Sequence, residues 1–229
     1  MAHIEVPIDL HQELNPRLWT DGEIKPQVQT ALLKIARVYY GFLGLDVPIV
    51  DVVVSGSQAN YNYTEHSDID LHLIVNYNDV ECDMAVDELF DTKRKLWKEQ
   101  HDIEIYGMPV EVYVEDTNKP AVSSTYSLLK DKWIKPPAKP VMDFDEGEIA
   151  RVTNKWLHVI TEVLKTKDLD QIEMVKNLLW AYRKAGLAKQ GEFGTANLVF
   201  KFLRNIGAST RLLDAVRHLK DQSLSLGSL

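Results

Sequence analysis

The sequence contains only one cysteine, Cys82, among its 229 residues. An intramolecular disulfide is therefore excluded, and an isolated cysteine is more typical of a structural residue than of a nucleophile, which fits a reducing cytoplasm. Long apolar runs are also absent, since none approaches the roughly 20 residues that cross a membrane. The first residues lack the basic and apolar regions of a secretory signal. We therefore expect a cytoplasmic protein with no membrane partner.

Positive charge is scarce as well. Lys and Arg number 26 against 34 Asp and Glu, a formal net charge of −8. This balance argues against broad electrostatic binding to nucleic acid. One compact lysine-rich stretch, Lys130 to Lys139, could meet an anionic group or could equally be a solubilising loop. The hydrophobic content of 45% is enough to build one large domain or two small ones.

Two stretches in the first third of the chain predict strands of one sheet. The first is apolar and ends in Gly56-Ser57; the second begins with Asp68-Ile69-Asp70. Side chains two apart on a strand share a face, so Asp68 and Asp70 project together, and such close carboxylates repel unless a cation lies between them. Mg²⁺ prefers carboxylate and phosphate oxygens, and a Gly-Ser turn can offer backbone N–H groups and a hydroxyl to those phosphates.

Taken together, Gly56-Ser57, ten intervening residues and Asp68-Ile69-Asp70 resemble the signature of the polymerase-beta-like nucleotidyltransferase superfamily, over about residues 50–115. Either piece alone is common, and Asp-x-Asp also fits a solvated strand or a lone Ca²⁺ site. The resemblance implies two Mg²⁺ ions on Asp68 and Asp70, a nucleoside triphosphate donor, with ATP expected, and a hydroxyl acceptor. Gly56, Ser57 and Ser67 are then the expected nucleotide-binding residues.

A third carboxylate is expected from the same resemblance, in the form hydrophobic-Glu-hydrophobic on a later strand. Residues 102–114 alternate around Gly107-Met108 and predict a β-hairpin. Glu111 is favoured over its rival Glu104, because the arm around it is richer in β-branched residues. The two nearby histidines, His66 and His72, are set aside because no spacing ties them to a ligand set.

The rest of the chain predicts helices around this centre. Residues 1–25 indicate an irregular arm, an amphipathic helix begins at Pro26 and ends at Gly41 or Gly44, and a second helix carries the charged run up to Lys98. Four helical stripes follow residue 146. We predict an α+β protein: a catalytic domain over 1–118 with a mixed sheet flanked by helices, a linker over 119–145, and a helical bundle over 146–229.

The resemblance implies metal-assisted nucleotidyl transfer. Asp68 and Asp70 hold both ions, Glu111 shares the one that activates the acceptor hydroxyl, and pyrophosphate leaves. The acidic composition favours a small molecule or a protein as acceptor over tRNA or other RNA. A catalytically silent nucleotide-binding or interaction module is the alternative of a different class. Arg183 and Lys184 are weaker candidates for phosphate contact, and the oligomeric state is left open.

Overall fold

The computed structural model describes residues 11–81, 85–137, 139 and 145–225. The described residues divide into two compact units, one reaching Lys139 and the other starting at Asp145. The first contains a mixed sheet with helices and the second contains helices alone, so the predicted α+β class is confirmed. The expectations for Cys82, for the first ten residues and for residues 226–229 fall outside the described part.

The first unit is built on a six-stranded sheet. The strands and helices of this unit are β1 (Trp19–Thr20), β2 (Glu23–Ile24), α1 (Pro26–Leu43), β3 (Ile49–Ser55), β4 (Ile69–Val75), α2 (Val86–Gln100), β5 (Glu104–Ile105), β6 (Met108–Asp116), β7 (Thr125–Ser127) and β8 (Lys132–Lys135). The sheet order is β5-β6-β4-β3-β7-β8, and β1 and β2 form a separate hairpin. Strands β4 and β6 pair in parallel, and the other neighbouring strands of this sheet pair antiparallel.

Helix α1 follows from its sequence. Pro26 occupies the first turn, where its missing N–H costs no hydrogen bond, and Gly44 ends the helix in the left-handed conformation at φ 68°. The apolar face of α1 is buried, and Tyr39 of this face contacts Trp97 of α2 edge to face at 5.2 Å. Both helices pack into the hydrophobic core on one face of the sheet. The opposite face carries the polar residues of β3, β4 and β6.

The hairpin between β5 and β6 turns one residue earlier than the sequence suggested. Its two turn residues are Tyr106 and Gly107, both with positive φ (53° and 77°), and Ile105 pairs with Met108. A two-residue hairpin loop with positive φ at both positions matches the right-handed twist of the strands. Met108 is therefore the buried first residue of β6 rather than part of the turn.

The stretch predicted as a linker, 119–145, supplies two strands to the sheet. Strand β7 pairs with β3, and β8 pairs with β7. Three aromatic residues hold this edge: Trp133 stacks on Trp19 at 4.9 Å, and Tyr126 contacts both rings edge to face. Trp19 belongs to the β1–β2 hairpin, so the predicted irregular arm also contains regular structure. Residues 140–144 of the predicted linker lie outside the described part.

The second unit is a bundle of four helices, as the four stripes predicted. They are α3 (Glu146–Thr166), α4 (Leu169–Gln190), α5 (Thr195–Asn205) and α6 (Ala208–Leu224). Asp145 and Asp168 cap α3 and α4, because each carboxylate accepts a hydrogen bond from a backbone N–H three residues on. The bundle core is mainly aliphatic, includes Phe200, and centres on Ile149, Ile160, Leu179, Leu203 and Leu212. Among the described residues, every helix is too short or too polar to span a bilayer.

Candidate active site

Three carboxylates meet at the end of the sheet where β3 stops and β4 begins. One ligand oxygen from each of Asp68, Asp70 and Glu111 lies within 4.8 Å of the other two. Parallel pairing explains this, because Asp70 of β4 stands directly beside Glu111 of β6 in the register. Glu104 pairs with Pro109 on the short β5 strand, is exposed, and is not part of this cluster. The structure thus assembles the three predicted carboxylates.

These three groups fit a divalent cation. All are partly exposed, so an ion has access, and all supply the hard oxygen ligands that Mg²⁺ prefers. Three negative charges within 4.8 Å repel one another unless a cation shares them.

Glu111 already has two partners in the protein. Its Oε1 accepts a hydrogen bond from the Lys98 ammonium of α2, and its Oε2 accepts one from the Tyr113 hydroxyl at 2.5 Å. Burial alone raises the pKa of this carboxyl, but the two hydrogen bonds and the positive charges of Lys98 and Arg94 outweigh burial and lower the pKa below its ordinary value. Glu111 is therefore ionised, as a metal ligand must be.

Gly56 brings the turn after β3 directly against this cluster. Its backbone has φ 74° and ψ −157°, a region that essentially only glycine adopts. A Cβ built at this position would lie 2.0 Å from Oδ2 of Asp70. The carboxylate thus occupies the space that any side chain at position 56 would need, and the turn is in contact with Asp70.

Ser57 begins a short 3₁₀ turn, Ser57–Ala59, at the same place. Its Oγ donates a hydrogen bond to Oγ of Ser67 at 3.0 Å, and Ser67 also accepts one from the Thr64 N–H at 2.9 Å. Ser67 is fully buried. The structure therefore places Ser67 behind Ser57, where it orients the Ser57 hydroxyl.

Gln58 is a residue of the site that the sequence did not reveal. Its side chain is fully buried; Oε1 accepts a hydrogen bond from Asn15 at 2.8 Å, and Nε2 donates one to the Ser67 carbonyl at 3.0 Å. The Trp19 indole N–H donates to the Gln58 carbonyl at 2.7 Å. These bonds tie the Gly-Ser turn to the residue preceding Asp68. No local sequence pattern predicts these hydrogen bonds, because the residues that bond to Gln58 lie 9 to 43 positions away in the sequence.

His72 belongs to the polar face next to the cluster. Its Nε2 lies 2.9 Å from Oγ of Ser55, its Nδ1 lies 3.3 Å from a Glu115 oxygen, and its ring stacks on Tyr113. Burial raises the pKa of Glu115, but His72 and Lys119 more than compensate and lower it to about 2. His66, by contrast, is exposed and lies 3.5 Å from its neighbour Glu65.

Arg183, Lys184 and the lysine-rich stretch from Lys130 to Lys139 were the other candidates for contact with a phosphate or another anionic group. Arg183 donates to Oδ1 of Asn197 at 3.2 Å and lies over the Phe200 ring, both within the helical unit, while Lys184 is exposed. In the lysine-rich stretch, Lys130 pairs with the buried Asp51 at 2.8 Å. Lys135 of the same stretch donates to backbone carbonyls of residues 121 and 122.

Comparison with known proteins identifies the catalytic segment. Residues 41–135 match a family model described as "Nucleotidyltransferase domain". The match spans β3, β4 and β6 and so contains the Gly56 turn and all three carboxylates. The resemblance to polymerase-beta-like nucleotidyltransferases is confirmed for this segment. No curated protein and no solved structure matches the chain.

Proposed function

Because residues 41–135 form a nucleotidyltransferase domain, we propose that the protein transfers a nucleoside monophosphate from a nucleoside triphosphate, with ATP the expected donor, to a hydroxyl group. Pyrophosphate is released, and two Mg²⁺ ions assist. One observation carries this proposal: Asp68, Asp70 and Glu111 converge within 4.8 Å, and the Gly56 turn packs against one of them. A catalytically silent module would have no need of all three acids.

Each residue has a part in this reaction. Asp68 and Asp70 would hold both ions, and Glu111, the neighbour of Asp70 in the register, would help to hold one of them. Bound Mg²⁺ would neutralise charge on the phosphates and lower the pKa of the acceptor hydroxyl. The backbone at Gly56 and the hydroxyl of Ser57 would bind the phosphates of the donor, and the hydrogen bonds of Ser67 and Gln58 hold that turn in position.

The acceptor is a small molecule or a protein hydroxyl in this proposal, and the charge of the protein supports it. An enzyme that binds long nucleic acid must neutralise several phosphates, yet the chain carries a net charge of −8. In the lysine-rich stretch, Lys135 donates to the backbone carbonyls of residues 121 and 122.

The first test removes the metal ligands. Asp68→Asn and Asp70→Asn should each abolish Mg²⁺-dependent pyrophosphate release from the four nucleoside triphosphates, while thermal unfolding changes little. Asp46→Asn, which changes an exposed carboxylate of the same unit, is the matched control and should keep full activity. A double variant at 68 and 70 with undiminished turnover would refute the assignment, and a wild-type protein that binds ATP without turnover would identify a silent module.

The second test is ionic strength. Labelling of a small molecule or a protein should change little between about 50 and 200 mM salt, whereas binding through several phosphates weakens about 10³-fold or more over that range. RNA labelled with a steep salt dependence, alongside unlabelled small-molecule and protein acceptors, would show an RNA-directed enzyme and leave the metal chemistry intact.

A further inference from the structure

A pocket of about 520 Å³ lies on the same face of the sheet as the three carboxylates. Its floor includes Val53 and Ser55 of β3 and His72 and Ile74 of β4. Ser55 stands beside Asp70 in the register of the sheet, and His72 follows Asp70 by two residues on the same strand. One end of the pocket therefore adjoins the metal ligands.

The other end of the pocket is lined by a crossing segment. Residues 117–124 connect β6 to β7, and β4 and β3 lie between those strands in the sheet order, so the segment passes over the strand ends. Pro120, Ala121 and Val122 of this segment line the pocket. At about 3.3 Å per residue, the floor from Asp51 to Ser55 is roughly 13 Å long. These dimensions are those of a small-molecule site.

Two ion pairs flank the floor, and in both the lysine is the exposed partner. Lys130 pairs with Asp51 at 2.8 Å; the Lys130 side chain is 51% exposed and that of Asp51 only 4%. Asp51 also accepts hydrogen bonds from the Ser127 hydroxyl and the Val52 N–H. Lys119 pairs with Glu115 at 2.5 Å, with side chains 57% and 26% exposed. Asp51 is buried and Glu115 is partly buried, so in each pair the lysine ammonium is the more exposed group.

Within each of these two pairs, a ligand in the pocket reaches the ammonium group more readily than its carboxylate partner. Each ammonium has three donor hydrogens, and the pairs with Asp51 and Glu115 leave donors for a ligand. Asp116 is the remaining acid in the lining, and its oxygens accept hydrogen bonds from the Tyr77 N–H and the Asn118 amide. Exposed apolar side chains, Val50, Val122 and Ile134, provide contacts for the carbon skeleton of a ligand.

We propose that this pocket binds the acceptor, and that the acceptor is a small hydroxylated molecule bearing a carboxylate or phosphate group. The inference rests on the proposed transferase activity and chooses between its acceptors. The anionic group of the acceptor contacts Lys119 and Lys130. The acceptor hydroxyl lies at the Ser55 end of the pocket, next to the proposed metal ligand Asp70.

The experiment uses ATP labelled at the α-phosphate, Mg²⁺ and three acceptor pools: RNA, protein, and a small-molecule extract. Anion exchange separates the extract into a retained anionic fraction and an unretained fraction. We expect labelled product from the retained fraction. Treating that fraction with phosphatase beforehand distinguishes the two chemistries, because the treatment removes a phosphate acceptor and leaves a carboxylate acceptor intact.

Charge variants then locate the site. Lys119→Met and Lys130→Met should each raise the half-saturating concentration of the retained fraction at least tenfold, with the KM for ATP unchanged within twofold. Lys132→Met, an exposed lysine that does not line the pocket, is the matched control and should behave as the wild type. Asp51→Asn with Lys130→Met removes both charges, so no buried carboxylate is left unpaired, and should show the same acceptor defect.

Three outcomes would overturn the proposal. Label that appears only in the unretained fraction, in protein or in RNA would show a different acceptor class while the transferase activity stands. Unchanged saturation by the retained fraction in all the lysine variants would place the acceptor elsewhere. Label in no pool at all would count against the transferase itself, and the pocket assignment would fall with it.

Discussion

The Asp70 carboxylate fills the space beside Gly56 that a side chain would occupy: a Cβ at position 56 would lie 2.0 Å from Oδ2. The Gly56 turn, proposed to face the triphosphate, and Asp70, proposed to bind metal, are therefore in direct contact. In the sequence motif, Gly56 and Asp70 belong to separate elements, but in the structure they are in direct contact. This contact gives the sharpest mutational test of the site.

Gly56→Ala should lower the rate of nucleotidyl transfer at least a hundredfold, because the new methyl group displaces Asp70. The matched control is Gly44→Ala, at φ 68°, where an added Cβ would have no atom within 4 Å. Gly44→Ala introduces left-handed strain of about 1–2 kcal/mol, whereas Gly56→Ala places alanine in a glycine-only region at a cost of about 1–3 kcal/mol and adds the clash with Asp70. Rates are therefore compared at a temperature where both variants are folded. A Gly56→Ala enzyme with wild-type rate and Mg²⁺ dependence would contradict the contact.

Glu111→Gln should reduce the rate by orders of magnitude, because an amide cannot replace a carboxylate on a shared metal ion. Glu104→Gln is the control on the neighbouring strand and should change the rate little, since Glu104 is exposed and outside the cluster. Single-turnover rates at saturating ATP and Mg²⁺ provide the measurement. The reverse order of effects would mean that β6 pairs in another register in solution.

Gln58→Leu should raise the KM for ATP about tenfold, because the turn loses its link to the Ser67 carbonyl. It should also lower the free energy of unfolding by about 1–3 kcal/mol, as buried partners lose their hydrogen bonds. Ile160→Val in the helical unit, expected to cost about 1 kcal/mol, controls for stability alone. An equal rise in the KM for ATP in both variants would show that Gln58 has no role in positioning the Gly56-Ser57 turn.

Glu115 makes stability depend on pH in acid. Its pKa is lowered from 4.5 to about 2, so its ionised form stabilises the fold above about pH 4.5, and this contribution disappears as the pH falls towards 2. The stability difference between wild type and Glu115→Gln should therefore be about 1–3 kcal/mol at about pH 6 and shrink towards about pH 2. Urea unfolding at several pH values measures it, with Glu104→Gln as the control. A difference that stays constant with pH would contradict this assignment.

Local patterns predicted the parts of the structure that depend on neighbouring residues. The Gly56-Ser57 turn, the Asp68-Ile69-Asp70 strand, the proline start and glycine end of α1, and the four helices of the second unit all follow from short spacings. The family resemblance led us to expect a third carboxylate, and the β-branched residues around Glu111 favoured it over Glu104.

Long-range contacts explain what the sequence left undetermined. Strands β7 and β8 are three and four residues long, too short for an alternating pattern, and are held by Trp19 from over a hundred residues away. Gln58 and Asp51 look like ordinary polar residues until the fold buries them among distant partners. The pocket beside Ser55 depends on a connection whose path only the sheet order defines.

Strand β6 joins β4 only after the chain has passed through α2, so the three clustered carboxylates come from segments about forty residues apart. The entropy of closing that loop must be overcome before Glu111 reaches Asp70. A metal ion bound by all three, as proposed, would be thermodynamically linked to this pairing: at about one hundred times its Kd it would add about 2.7 kcal/mol to the folded state. Such an ion would join β4 to β6 in addition to assisting the reaction.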